Sequence, residues 1–405
     1  MKAGWAMKTL AEVCQIKPPK AEVRKRLSGR DFVSFAPMES LGIGQKAFEA
    51  AQTRPLDSVV DSYTYFADGD VLLAKITPCF ENGKLGIAEN LANGAGFGSS
   101  EYIVFRPSPA IDKEWLYYFL SQESFRTEGA ERMSGAVGHK RVSKGFIEFY
   151  PIPVPPLPEQ HRIVATLDAA FDGIATAKAN AEKNLQNARA LFESHLQSIF
   201  TERGEGWVER LLEEVVDAHC TLSYGIVQPG HEYTKGMPVV RPTDLTTKTI
   251  TLDGLKRIDP KLANGYRRTA LRGGELLLCV RGSTGVVSVT ALELAGANVT
   301  RGIVPIVFAP SLLRQDFGYF LMTSEAVQRQ IRAKTYGAAL MQINIGDLRK
   351  IAVTFPPLKE QMVMTTKLEE LSVETQRLRS SYQQKLAALG DLKKSLLHQA
   401  FTGEL

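Results

Sequence analysis

The chain has 405 residues, which at roughly 100–200 residues per domain allows two to four domains. Apolar residues make up 44% of it and charged residues 23%, which is the usage of folded proteins and excludes wholesale disorder. No apolar run approaches the roughly 18 residues of a membrane span. The cysteines share no close spacing, which argues against a disulfide framework or a cysteine-rich zinc site: Cys14, Cys79, Cys220 and Cys279. We therefore expect a soluble protein of a reducing compartment, the cytoplasm.

The net charge of +5 is mild, but it is concentrated in one segment. Residues 207–351 carry 18 basic and 13 acidic groups, and 12 of the 18 are arginine, whereas residues 1–151 carry 19 and 18. Arginine offers a planar fork that suits phosphates and guanine edges. This segment is therefore a candidate for binding nucleic acid, with a solvated basic surface as the alternative.

The chain repeats itself. Pro155–Gln160 recurs as Pro356–Gln361, and 12 of the 47 positions from residue 155 to residue 201 are identical at that offset of 201, against about 3 by chance. Further matches join Gly4-Trp5 to Gly206-Trp207, Gly69–Leu73 to Gly274–Leu278, and Tyr118–Leu120 to Tyr319–Leu321. We infer two copies of one unit, each a globular part followed by a helical part, with boundaries at 1–151, 152–205, 206–352 and 353–405.

Each helical part predicts one long helix, from about Glu159 to Phe200 and from Glu360 to Phe401, because a proline-rich run precedes it and no proline interrupts it. Heptad-like spacing predicts a stripe of large side chains in the second helix facing a stripe of small ones in the first. We expect an antiparallel coiled coil, with the two copies related by a pseudo-twofold axis; the alternative is that each helix packs on its own domain. The predicted packing residues are Ala170, Ile174, Ala177, Ala181, Leu371, Leu378, Tyr382, Leu389, Leu392 and Leu396, with Thr375 and Lys385 as defects.

The residue patterns of the globular parts predict a mixed α/β (α+β) fold. Short β-branched runs bounded by Gly, Asn and Pro predict strands at 71–76, 102–105, 275–280 and 304–308. One amphipathic helix is predicted in each copy, at 113–131 and 314–334. Turn-rich segments follow these helices, at 133–141 and 336–342, and such loops commonly carry binding residues.

Motifs for catalysis are not found. The sequence contains no Walker A loop, no Gly-x-Ser-x-Gly elbow, no His-Glu-x-x-His helix and no Asn/Asp-Pro-Pro-aromatic tetrad of amino-methyltransferases. His219, Cys220 and His231 are too few and too irregularly spaced for a metal site. These observations favour a binding protein with no catalytic residues and no metal.

Polar and cationic residues instead recur in corresponding turns of the two copies. Arg and Lys can bind guanine edges, Gln can bind adenine, and Ser or Thr can bind phosphates or base edges. Taken singly, each residue is more typical of a plain surface role, so the stronger argument is that such residues recur at like places in both copies. The predicted DNA contacts are Lys75, Thr77, Lys84, His139, Lys140 and Arg141 in the first copy, and Arg241, Arg281, Ser283, Thr284, Tyr336 and Gln342 in the second. The first copy has no cation matching Arg241, where Phe35 or Ala36 falls.

Taken together, the pattern resembles the specificity (S) subunit of type I restriction–modification systems. The resemblance rests on the two Pro-Pro-Leu-x-Glu-Gln boxes that open long helices, the Gly-Trp starts of the globular parts and the Phe401–Leu405 ending. It implies two target recognition domains that each bind one half of a bipartite, asymmetric DNA site in the major groove, and a coiled-coil spacer that sets the gap between them. It also implies two modification subunits, which use S-adenosylmethionine, and restriction subunits, which use ATP and Mg. A non-catalytic coiled-coil adapter that binds proteins remains the alternative; a recognition module with its own methylase or nuclease is disfavoured by the missing motifs.

Overall fold

The described chain forms two compact units, each of which combines one globular part with one end of each long helix. The computed structural model describes residues 4–48, 50, 52–136, 138–338 and 340–405. The first unit comprises Met1–Glu182 and Gln384–Leu405, and the second comprises Lys183–Gln383. Each unit is therefore built from both halves of the repeat, because the long helices pass from one unit into the other.

Within its described residues, the first unit contains three sheets of short strands. The sheets have the strand orders β1-β11, β2-β10-β7-β8-β4 and β5-β3-β9-β6. In the five-stranded sheet β7 lies between β10 and β8, antiparallel to both. The strands are β1 Ala6–Thr9, β2 Cys14–Ile16, β3 Phe32–Ala36, β4 Ala47–Phe48, β5 Gln52–Pro55, β6 Thr64–Ala67, β7 Val71–Ala74, β8 Leu85–Ala88, β9 Ala95–Gly98, β10 Tyr102–Pro107 and β11 Pro151–Val154.

The part of the second unit that the structure describes repeats this plan with fewer strands. Its sheets have the orders β12-β20, β14-β17-β16-β19 and β15-β13-β18, so β16 takes the place of β7 and β19 that of β10. The strands are β12 Val208–Leu211, β13 Met237–Val240, β14 Thr249–Ile250, β15 Lys256–Ile258, β16 Leu276–Cys279, β17 Val287–Thr290, β18 Asn298–Val299, β19 Ile303–Ile306 and β20 Ala352–Phe355. The predicted mixed α/β fold in two copies is confirmed.

The helix predicted at 113–131 is two helices, and so is the one at 314–334. The Ser121 hydroxyl donates to the Tyr118 carbonyl at 2.7 Å, and the Ser324 hydroxyl donates to the Leu321 carbonyl at 2.7 Å. Such back-bonding competes with the helical ladder and ends the first helix of each pair. The helices are α1 Leu10–Val13, α2 Ala21–Arg26, α3 Lys113–Leu120, α4 Glu123–Glu131, α5 Lys144–Phe149, α6 Leu157–Thr201, α7 Leu212–Val215, α8 Gln315–Thr323, α9 Glu325–Ala333, α10 Ile345–Arg349 and α11 Leu358–Thr402.

The long helices α6 and α11 pack together. Each has 45 residues, or about 68 Å at 1.5 Å per residue. In the first unit the beginning of α6 and the end of α11 enter one core, where Ile163 and Leu167 lie with Leu397 and Phe401. In the second unit the end of α6 and the beginning of α11 do the same. The pairing is therefore antiparallel, as the sequence predicts. No helix in the described part of the chain is both long and apolar enough to cross a membrane.

The packing stripe of α11 differs from the predicted one at two leucines. Leu378 and Leu392 are 42% and 46% exposed, whereas Thr375 is only 5% exposed. The Thr375 hydroxyl donates to the Leu371 carbonyl at 2.8 Å, so its polarity is satisfied within the helix and it can be buried. Leu378 and Leu392 share a heptad position with Leu371 and Lys385, and of these four only Leu371 is half-buried. An α-helix drifts by about 20° per heptad, so this position leaves the packing face after Leu371.

The other predicted packing residues lie on half-buried or buried faces. On α6, Ala181 is 1% exposed, and Ala170, Ile174 and Ala177 are half-buried. On α11, the half-buried residues are Leu371, Tyr382, Leu389 and Leu396. Small side chains on one helix and large ones on the other recur every three to four residues, which lets two helices approach closely.

The glutamine of each Pro-Pro-Leu-x-Glu-Gln box joins a long helix to its globular part. Gln160 is fully buried; it accepts from the amide N of Asp112 at 2.8 Å and donates to the carbonyls of Ala110 and Pro155 at 3.0 and 2.8 Å. Gln361 repeats this geometry with the Arg314 amide at 2.9 Å and two carbonyls at 2.9 and 2.8 Å. Both glutamines therefore tie the start of a long helix to the start of a globular helix, α3 or α8.

Candidate nucleic-acid interface

In the first unit the turn after β7 is hydrogen-bonded to the loop that follows α4. Ile76 and Arg141 form an antiparallel bridge, and Arg141 also bridges to Ser134 within the loop. The Thr77 amide donates to the Lys140 carbonyl at 2.9 Å, and the Val142 amide donates to the Lys75 carbonyl at 3.0 Å. The turn and the loop that the sequence singled out separately thus form one surface.

Glu101 organises the cations of this surface. The Arg141 guanidinium donates to both carboxylate oxygens of Glu101, with N···O distances of 2.9 and 2.7 Å. The Lys75 ammonium lies 3.9 Å from the same carboxylate and donates to the Ser100 carbonyl at 2.9 Å. The hydrogen bond from Arg141 lowers the pKa of Glu101 below its ordinary value of 4.5. Both cations are therefore held by an acid in the free protein.

The remaining predicted contacts of the first unit are placed differently from one another. The Lys84 ammonium donates to the Met38 carbonyl at 2.9 Å, so it is held by the main chain. His139 and Lys140 are exposed in the loop. The Thr77 hydroxyl donates to a carboxylate four residues further along the chain. His139, Lys140 and Arg141 thus lie together, whereas Lys84 turns to another segment.

The second unit repeats the same backbone frame after β16. Arg281 and Gln342 form an antiparallel bridge, and Gln342 also bridges to Tyr336. The Gly282 amide donates to the Met341 carbonyl at 2.8 Å, as Thr77 does to Lys140. The bridges therefore equate Arg281 with Ile76, Gln342 with Arg141 and Tyr336 with Ser134. One frame carries different side chains in the two units.

The carboxylate that holds the first unit's cations is missing from the second. The Lys75 amide donates to the Glu101 carbonyl at 2.9 Å, and the corresponding Val280 amide donates to the Gly302 carbonyl at 2.8 Å, so Gly302 stands where Glu101 does. Among the described residues none forms an ion pair or hydrogen bond with the Arg281 guanidinium. Arg281 is therefore available to a ligand, whereas Arg141 must exchange one partner for another.

The residues around Arg281 complete a polar turn. Ser283 is exposed, and the Thr284 hydroxyl donates to the Met341 carbonyl at 3.2 Å. Tyr336 is 48% exposed. The predicted residues of the second unit, apart from Arg241, thus share one surface with Gln342.

Arg241 lies on a neighbouring turn. Its guanidinium forms a bidentate pair with Asp244, at 3.1 and 2.8 Å. A side chain at Gly302 would meet the Pro242 ring at 2.5 Å and the Arg281 carbonyl oxygen at 3.5 Å, so this turn packs closely against the Arg281 turn. Pro37, and not Phe35 or Ala36, is the first-unit position that matches Arg241. The Pro37 carbonyl accepts a hydrogen bond from the backbone amide three residues later, as the Arg241 carbonyl does.

Three residues of these surfaces were not predicted from the sequence. The first is Glu101, which belongs to no motif and is singled out only by the two cations that lie beside it in the structure. Arg301 is exposed and precedes Gly302; Tyr224 donates to the Ile343 carbonyl at 3.3 Å and lies near Arg301 and Tyr336. Arg301 lies one residue before the counterpart of Glu101, and this position was the only signal for it in the sequence. It can be recognised only when the register of β19 against β16 is known.

A lysine anchors each globular part to a long helix. The Lys46 ammonium lies 2.7 Å from Asp168 of α6 and 5.2 Å from the centre of the Tyr118 ring. The Lys248 ammonium lies 3.8 Å from Glu369 of α11 and 4.9 Å from the centre of the Tyr319 ring. The candidate interface of each unit is therefore carried on a part that is clamped to a helix. Among the residues that the structure describes, no group of three or more His, Cys, Asp and Glu could hold a metal ion.

The comparisons with known proteins agree with this architecture. The family model for the type I restriction modification DNA specificity domain matches the chain twice, over residues 2–186 and 204–386. The chain therefore belongs to this family, and the resemblance found from the sequence is confirmed.

Named relatives cover only part of the chain. The type I restriction enzyme EcoEI specificity subunit of Escherichia coli is 39% identical over 164 residues, which are 40% of this chain and 27% of that protein. The EcoBI specificity subunit of Escherichia coli is 23% identical over 294 residues, covering 67% of this chain and 62% of that protein. The chain thus spans about a quarter of the first relative and less than two thirds of the second.

Solved structures share the fold over the whole chain. A chain from a study of complex assembly and conformational transition of a type I R-M system superposes with a TM-score of 0.79 at 18% identity, covering 100% of this chain and 99% of that one. The HsdS subunit of Thermoanaerobacter tengcongensis superposes with a TM-score of 0.65 at 19% identity, covering 100% and 98%. At such identities the likeness shows the fold.

Proposed function

We propose that this chain is the DNA-recognition subunit of a type I restriction–modification complex. Each globular part binds one half of a bipartite, asymmetric target in the major groove of double-stranded DNA. The observation that supports this most directly is the repeated frame at the Ile76–Arg141 and Arg281–Gln342 bridges. One backbone geometry presents arginine and glutamine in one unit and isoleucine and arginine in the other, which is what two readers of unlike half-sites require.

The two long helices serve as the spacer in this proposal. In this proposal the two antiparallel helices of 45 residues act as a stiff spacer between the two binding surfaces. For DNA readers with two binding surfaces, the geometry of the protein sets the spacing of the half-sites. We keep the division into recognition parts 1–151 and 206–352 and spacer parts 152–205 and 353–405. The exposed outer faces of the helices, which include Leu378 and Leu392, are the surfaces that we assign to the two modification subunits.

The chain supplies recognition and no chemistry in this proposal. Its relatives are named specificity subunits. We assign S-adenosylmethionine and adenine methylation to the modification subunits, and ATP, Mg and cleavage to the restriction subunits, with no cofactor bound by this chain. The complex acts in the cytoplasm, since its DNA substrate is there.

Methylome sequencing tests the proposal. Cells that express the chain together with its modification partner are compared with cells that lack the chain. We expect a new split motif of two unlike half-sites, methylated on adenine. No new motif, while the same partner methylates DNA with another specificity chain, would contradict the proposal and favour a protein-binding adapter.

A further inference from the structure

The second unit contains an arginine-lined cavity that lies at the opposite end of β16 from Arg281. The cavity has a volume of about 950 Å³ and is bordered by Arg267, Arg268 and Arg272, all exposed. Among the residues that the structure describes, none accepts a hydrogen bond from these three guanidinium groups or pairs with them. Three unpaired cations thus converge on one open space.

Three acids border the cavity, Asp217, Glu275 and Asp316, and each already accepts a hydrogen bond. Asp217 accepts from the amide of His219 at 2.9 Å. Glu275 is 5% exposed and accepts from the amides of Arg272 and Gly273 and from the Thr290 hydroxyl, the last at 2.7 Å. Asp316 pairs with Arg314, with one N···O distance of 3.0 Å. The border of the cavity therefore carries four arginines, the fourth being Arg314, against three carboxylates, which is a net charge of +1.

The first unit fills the corresponding place with its own ion pairs. Asp70, which matches Glu275, binds Arg106 through two hydrogen bonds of 2.8 Å. Arg106 also pairs with Glu22 of helix α2. Helix, arginine and carboxylate thus close the end of the first unit's sheet.

Each of these elements is replaced in the second unit. Leu276 pairs with Ile306 as Val71 pairs with Phe105, so the match of Arg106 is Val307, which has no charge. Within the described segment 216–236 there is no helix in the place of α2. The Arg272 amide donates to Glu275 as the Ala67 amide donates to Asp70, so a cation stands where the first unit has alanine.

From this contrast we infer that the cavity is a binding site for phosphate groups. Arginine is the residue best suited to bidentate binding of phosphate oxygens, and unpaired guanidinium groups lose little when a phosphate replaces water. The phosphates belong either to the DNA backbone beside the second half-site or to a free nucleotide, for which the cavity has room. Binding of DNA backbone phosphates rests on the proposed function and would give the second unit additional contacts with DNA.

The test uses the full chain in its complex with the modification subunits. The triple variant Arg267→Gln, Arg268→Gln, Arg272→Gln is compared with the wild type and with a matched control that removes three exposed arginines elsewhere in the unit, Arg210→Gln, Arg329→Gln, Arg332→Gln. Affinity for a duplex with the target and for one without it is measured over a range of salt concentrations. Thermal protection of the chain by ATP and by inorganic phosphate is measured in parallel.

If the phosphates are those of DNA, the cavity variant binds both duplexes more weakly by the same factor. Its slope of log K against log salt falls by about 2 to 3, at about 0.9 per lost phosphate contact, while the methylated motif stays unchanged. If they belong to a nucleotide, ATP protects the wild type and the control but not the cavity variant. The inference is overturned if the cavity variant has the same salt slope as the control and ATP does not protect the wild type. It is also overturned if the cavity variant loses only its binding to the modification subunits, measured without DNA. If the wild type produces no methylated motif while the cavity variant still shows the reduced salt slope, the proposed function is contradicted and the phosphate site is not.

Discussion

Arg281 and Gln342 stand opposite each other in an antiparallel bridge, with the Arg281 guanidinium unpaired among the described residues. Side chains of directly opposed residues lie on the same face, with Cβ atoms about 4.5–5.5 Å apart. A guanidinium, which suits guanine, and a carboxamide, which suits adenine, are thus offered side by side.

The first prediction concerns base recognition by this pair. Arg281→Ala should weaken binding by about 1–3 kcal/mol and relax the preference at one position of the second half-site only, because a bidentate base contact is lost. Competition binding with duplexes substituted position by position measures this. Gln342→Ala should relax a neighbouring position and leave the first half-site unchanged. An equal loss for every duplex would show that Arg281 contacts phosphate.

The second prediction concerns the acid that holds Arg141 and Lys75. Glu101→Gln should release both cations, strengthen DNA binding and steepen its salt dependence by roughly one, since a cation no longer has to leave a carboxylate. Binding to duplexes altered in either half-site, followed against salt, checks this. Unchanged affinity and slope would mean that the pair persists when DNA is bound.

A dependence of stability on pH follows from the same pair. Because Arg141 lowers the folded pKa of Glu101 below 4.5, the pair stabilises the folded state above that value and is lost as the pH falls through the lowered pKa. Arg141→Ala should therefore be less stable than the wild type at neutral pH, and the difference should shrink below pH 4.5. Denaturation by urea at both pH values measures it; a constant difference would contradict the assignment.

The buried glutamines provide the fourth prediction. Gln160→Leu removes three hydrogen bonds and leaves the Asp112 amide and two carbonyls unsatisfied, so the first unit should lose about 2–4 kcal/mol of stability. Hydrogen exchange at the start of α3 should report the loss locally. Gln361→Leu should act in the same way on α8, and Gln197→Leu, at an exposed position of α6, is the control. Equal exchange in Gln160→Leu and the control would refute the anchoring role.

The spacer role of the helices gives the fifth prediction. Removal of one heptad from both α6 and α11 keeps the packing stripe in register and shortens the pair by about 10 Å. The preferred gap between half-sites should then shrink by about three base pairs, with both half-sites unchanged, as methylome sequencing would reveal. An unchanged gap would rule out the helices as the spacer.

The duplication, the two long helices and the mixed α/β character of the globular parts can all be predicted from the amino-acid sequence alone. These features depend on local or periodic information: a fixed offset, unbroken helical segments after Pro-rich runs, and short β-branched strands between turns. The sequence also brought the 75–77 turn and the 133–141 loop to attention, because polar residues recurred there in both copies.

Which of those residues are free to bind depends on contacts between distant parts of the chain. Arg141 and Arg281 look alike in the sequence, yet Glu101 holds one, and Gly302 leaves the other unpaired, because residues far apart in the chain are brought together by strand register. The same dependence on long-range pairing placed Thr375 on the helix seam and left Leu378 outside it. Long-range pairing also sets the cavity where Val307 replaces Arg106, since the loss of one partly buried ion pair alters the space around it.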